Sequence, residues 1–168
     1  MTPAELRTLL EDFYRDLSWL AASRQANARS VTAYDANNAY QQVLARQETH
    51  LRWVADAIAD LGGTTDLALP QSPPERASSA TARGRTDLLL QIIEGDVRAQ
   101  KAFIALWQPR VLKVTNARHR KMLELILGEM EEHRRAFEQA LSGRTDVLGR
   151  HADGKELSGE VLPGRPRG

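Results

Sequence analysis

The sequence predicts an all-α chain, a four-helix bundle with one long crossover between its second and third helices. Three observations carry this prediction. Two blocks of helix-forming composition, residues 1–61 and 85–142, flank a stretch rich in Gly, Pro, Ser and Thr at 62–84. Within both blocks apolar residues recur at steps of three and four, the period of an amphipathic helix. Neither block contains a run alternating with the period of two of a strand, nor an Asn-Gly or Asp-Gly hairpin signal.

The first helix opens on Thr2-Pro3 with Glu5 following, a start signal. Leu6, Leu10, Phe13, Leu17 and Leu20 then form one stripe, which predicts a helix over 4–27. Ser30 or Thr32 can cap the second helix. Its stripe is Ala36, Tyr40, Val43, Gln47, Leu51, Val54, Ile58 and Leu61, and it stops at Gly62-Gly63. A helix over 31–61 would be about 45 Å long. Leu89, Ile92, Ile93, Asp96, Ala99, Phe103 and Leu106 predict the third helix over 84–107, closed by Gln108-Pro109. The fourth, over 115–142, has Thr115 or Asn116 as its cap. Its stripe is His119, Met122, Ile126, Met130, His133, Phe137, Ala140 and Leu141, ending at Ser142-Gly143. Short joins make the first two and last two helices antiparallel hairpins. The central join, about twenty residues, is long enough to traverse the bundle.

With 168 residues the chain reads as one domain, a bundle over 1–142 followed by a tail over 143–168. The tail's low hydrophobicity and many turn formers predict disorder. Lys and Arg number 23 against 22 Asp and Glu, a net charge of +1, without the basic surplus of a nucleic-acid binder. The absence of Cys removes disulfides, thiolate metal sites and Cys nucleophiles together. No apolar run approaches the roughly 18 residues of a membrane span. The opening residues lack the basic and apolar regions of a secretory signal. A cytoplasmic chain with no nucleic-acid or membrane partner is therefore expected. Phosphate-binding loops, dinucleotide fingerprints and nucleophile elbows are all missing.

The informative residues are polar ones inside the apolar stripes. On a wheel of 100° per residue, Gln47 is central on the second helix and His50 lies within its apolar arc. Asp96 is central on the third, whereas Glu94 points away. On the fourth, His119 and His133 are central and Glu129 lies inside. Tyr14 sits inside the first, expected at the level of Gln47. A buried carboxylate without a partner is costly, so Asp96 in mid-stripe demands a buried His or a metal. Mid-bundle carboxylates and imidazoles form the donor set that holds iron or manganese. The bland alternative is a hydrogen-bonded network joining His50 and His133 to Asp96, Glu129 or Gln47.

Two stretches carry a family resemblance: Gln47-Glu-Thr-His50 with Leu-Gly-Gly at 61–63, and Ile126-Leu-Gly-Glu-Met-Glu-Glu-His133-Arg-Arg-Ala-Phe137. Over roughly residues 5–142 the chain resembles the ferritin-like superfamily in the broad bacterioferritin and rubrerythrin sense. That family's pattern is Glu-x-x-His on the second and fourth helices plus one acid each from the first and third. His50 and His133 match its histidines, and Asp96 or Glu94 matches the third-helix acid. Gln47 and Met130 stand at its two Glu positions, and the first helix offers no matching acid. The resemblance implies an atypical metal site of His50, Asp96, Glu129 and His133 taking iron or manganese. The chemistry implied is iron(II) oxidation or oxygen- or peroxide-linked redox chemistry. The alternative is a non-catalytic bundle with a degenerate site that works by self-association or partner binding. Leu9, Trp19 and Trp53 lie off the stripes and, together with Leu20 at the end of the first stripe, predict a homo-oligomer contact. Val147-Leu148 and Val161-Leu162 make the tail a candidate docking peptide for a protein partner.

Overall fold

The computed structural model describes residues 1–66 and 81–143. Among them are four helices, α1 (Pro3–Ser30), α2 (Tyr34–Asp60), α3 (Ala82–Val111) and α4 (Ala117–Leu141), and no strand. None of these helices is long and apolar enough to cross a membrane. The expected four-helix bundle is therefore present. The tail after Gly143 and the middle of the α2–α3 join lie outside the described residues.

Helix α1 begins with a reciprocal cap: Thr2 N donates to the Glu5 carboxylate at 2.6 Å, and Glu5 N donates to Thr2 Oγ1 at 3.2 Å. It runs past the expected end because Arg24 and Ala28 continue its buried stripe. Helix α2 uses neither Ser30 nor Thr32; its N-cap is Ala33, without a side-chain bond. Asn37 supplies the closure instead, donating to Ala28 O and Val31 O at 3.2 Å each. At the other end Gly62 takes a φ of 72°, the left-handed turn that favours glycine. A Cβ on Gly63 would lie 2.7 Å from Glu11 Oε1 and 2.7 Å from Ile58 Cγ2, so only glycine lets α2 end this tightly against α1.

Helix α3 departs from expectation. It passes through Pro109 to Val111. A proline so near the end removes one N–H, while buried Trp107 and Val111 anchor the last turn in the core. Leu106, assigned to the stripe, is 52% exposed; the helix turns Trp107 inward instead, one residue later. Asn116 caps α4 as expected, its Oδ1 accepting from His119 N at 3.1 Å.

Contacts between helices give their directions. Arg24 meets Asp96, Asp16 meets Trp107 and Asp12 meets Arg110, so α1 is antiparallel to α3. Tyr40 stacks on Phe137 and His50 meets Glu129, so α2 is antiparallel to α4. The end of α2 packs beside the start of α1. Ile92 and Ile93, near the start of α3, pack with Ala28 and Val31 at the other end. The end of α2 and the start of α3 thus lie at opposite ends of the bundle.

The apolar core is split. One cluster gathers Leu6 to Leu20 of α1 with Val54, Ile58, Phe103, Trp107, Leu123 and Ile126. The other gathers Ala28, Tyr40, Val43, Ile92, Val97 and Phe137. Between the two, every helix contributes polar side chains. Leu9 and Leu20, expected at an oligomer contact, are buried in the chain's own core, and Trp53 is half-buried against it. Trp19 is the one of the four that stays exposed, at 40%.

Candidate functional site

The polar layer is built from Arg24 on α1, Arg46, Gln47 and His50 on α2, Asp96 and Gln100 on α3, and Glu129 and His133 on α4. Arg24 is its centre and is only 2% exposed. Its Nε donates to both oxygens of Asp96 at 3.2 Å, and its Nη1 donates to Gln47 Oε1 at 2.8 Å. Gln47 turns its amide to Leu17 O, at 3.4 Å, which sets Leu17 rather than Tyr14 at its level. Gln100, one turn beyond Asp96, donates to Asp96 Oδ2 at 3.2 Å. A guanidinium removed from water is tolerated only where fixed acceptors replace the lost hydration, and α2 and α3 supply them here through Gln47 and Asp96.

A second pair lies at the layer's edge. Arg46 donates through Nε and Nη2 to both oxygens of Glu129, a bidentate contact. The same carboxylate meets His50 Nε2 at 2.9 Å. Trp53 covers this side, 5.1 Å from the Arg46 guanidinium and 5.5 Å from the His50 ring. The Arg46 contact, reinforced by His50, holds the Glu129 carboxyl down to about 2. Burial pushes the His50 imidazole below its ordinary value, outweighing the pull of Glu129. The half-buried His133 is lowered by burial first and by the charge of Arg24 second. Two guanidinium groups thus balance two carboxylates, and burial favours the neutral form of both imidazoles.

Stability follows from these directions. A His lowered on folding contributes stability that is present above its unfolded value, about 6.5. That contribution is lost as the pH falls toward the folded-state value, because the unfolded chain binds the proton first. Glu129 contributes in the same sense lower down, from about 4.5 toward about 2. The urea midpoint is therefore expected to fall between pH 7.5 and 5.5. Buried His119, also lowered, adds to the drop. In the double variant His50→Gln, His133→Gln the drop should shrink; an unchanged pH dependence in that chain would remove both imidazoles from the account.

Of the four residues expected as metal ligands, the structure joins two directly, His50 and Glu129. Asp96 is engaged by Arg24 rather than by a histidine. His133 stands close enough to Arg24, Glu129 and His50 to feel their charges, and its ring makes no hydrogen bond among the described residues. Among those residues, no three or more His, Asp and Glu side chains gather in a group able to hold a metal ion. The donor set does not fit a dinuclear iron or manganese centre. Guanidinium N–H groups already engage both oxygens of each carboxylate, and their positive charge opposes a second cation. Sequence reasoning missed Arg24, Arg46 and Gln100. Arg24 was findable: the steps Leu17, Leu20, Arg24, Ala28 keep the helical stripe going through it.

No protein-family model matches the chain, and no curated protein matches it.

Proposed function

We propose that the chain is a ferritin-like bundle that does its work without a resident metal, as a non-catalytic module acting by self-association or by binding a partner. The observation that carries this reading is Arg24, buried at mid-bundle with its guanidinium on Asp96 and Gln47, where a metal-binding relative would place a cation. Arg46 does the same for Glu129. The opposite-end placement of the end of α2 and the start of α3 supports the long-crossover topology of that superfamily. One observation favours the catalytic reading, iron(II) oxidation or oxygen- or peroxide-linked chemistry: His133, whose ring is without a hydrogen bond among the described residues, stands near Glu129 and His50.

The test is metal content and ferroxidation together. Protein purified without chelator or affinity tag should retain well under one iron, manganese or zinc per chain after dialysis. It should oxidise added iron(II) no faster than buffer. One or more tightly held metals per chain, with faster oxidation than buffer, overturns the reading in favour of the catalytic one.

A further inference from the structure

Two buried polar atoms of the mid-bundle layer meet no protein partner: Arg24 Nη2 and Gln100 Oε1. The first can only donate a hydrogen bond, and the second can only accept one. Both side chains are pinned by the same atom, since Arg24 Nε and Gln100 Nε2 each donate to Asp96 Oδ2 at 3.2 Å. Arg24 is 2% exposed and Gln100 is fully buried, so bulk solvent does not reach them as it reaches a surface group. Buried polar atoms left this way in a folded chain mark an ordered water or another small ligand.

The charges around the site decide which ligand fits. A cation would face the Arg24 guanidinium. An anion would face the Asp96 carboxylate and the Gln100 carbonyl, with Arg24 already neutralised by Asp96. A neutral molecule carrying both a lone pair and an O–H can answer a donor and an acceptor alike. We infer that the layer encloses an internal hydration site, in which water accepts a hydrogen bond from Arg24 Nη2 and donates one to Gln100 Oε1. Water is then a structural component of the polar layer, completing the two arms that the protein's own side chains leave open.

A crystal structure at about 1.5 Å from crystals soaked in bromide, with data at the bromide edge, tests the site. The expected result is an ordered peak without anomalous signal, about 2.7–3.2 Å from Arg24 Nη2. That peak should reach Gln100 Oε1 directly or through one further water. Gln100→Met removes the acceptor and should lose the peak while keeping the Arg24–Asp96 pair. If that variant fails to fold, the unsubstituted crystal decides alone. Absence of a peak, or Arg24 Nη2 bonded to protein instead, overturns this site and leaves the metal-free reading standing. An anomalous bromide peak replaces water by an anion and also overturns it. A transition-metal signal at the same place overturns both readings.

Discussion

Replacing Arg24 by Met is expected to lower the unfolding free energy by about 3–5 kcal/mol, the range for breaking a buried ion pair from one side. Met fills much of the space but leaves the Asp96 carboxylate, 2% exposed, with the Gln100 amide as its one remaining hydrogen-bond donor among the described residues. It also strips the Gln47 carbonyl of its donor. The energetic sign depends on which partner remains. Arg24→Met with Asp96→Leu removes both charges together and should recover most of the loss, because an apolar pair of similar volume avoids the desolvation of two ions. Urea unfolding of the two single variants and the double variant gives the coupling directly. A single Arg24→Met chain as stable as the parent would mean that Arg24 does not sit where the layer places it.

Trp107→Ala should be comparably severe, about 3–5 kcal/mol, as large aromatic truncations in a packed core are. The indole is fully buried, with its ring centroid 4.9 Å from that of Phe13 and 6.2 Å from that of Phe103. Its Nε1 donates to Asp16 at 3.0 Å, and the Arg110 guanidinium lies 4.0 Å over its face. Trp107 therefore ties α1 to α3 near the end opposite the cluster of Ala28, Ile92 and Phe137. Trp107→Phe keeps most of the packing and should lose far less, chiefly the hydrogen bond, worth about 1 kcal/mol. Equal losses in the two variants, measured by thermal unfolding, would place the stabilisation in the indole N–H instead of the ring.

The helices were legible in the sequence because periodicity and punctuation agreed: Gly62-Gly63 ends α2 and Asn116 caps α4. Where they disagreed, packing won. Pro109 signalled a stop that the burial of Trp107 and Val111 overrode. Ser30 and Thr32 offered caps, yet the turn is closed from within α2 by Asn37. The polar layer was half legible. Gln47, His50 and Asp96 announced themselves by interrupting apolar stripes. Arg24 interrupts its stripe in the same way, between Leu20 and Ala28, but an arginine reads by default as a solvated residue whose stem covers the core. Without that cation, the carboxylates and imidazoles point to a metal; with it, their charges close among themselves.

The split of the core has a kinetic side. Each hairpin joins neighbours in sequence, with α1 and α2 separated only by residues 31–33 and α3 and α4 by residues 112–116. Such local pairs assemble quickly. The Arg24–Asp96 contact spans 72 positions and forms only when one hairpin meets the other. Partners so far apart close a long loop, and their hydrogen bonds require close alignment of both helices. A contact that closes only after the hairpins have docked acts on the rate of opening rather than of assembly, so Arg24→Met is expected to speed unfolding in a denaturant-jump experiment more than it slows refolding. On this view the buried arginine is a brake on unfolding: its loss shortens the lifetime of the folded chain while leaving the time it takes to fold nearly unchanged.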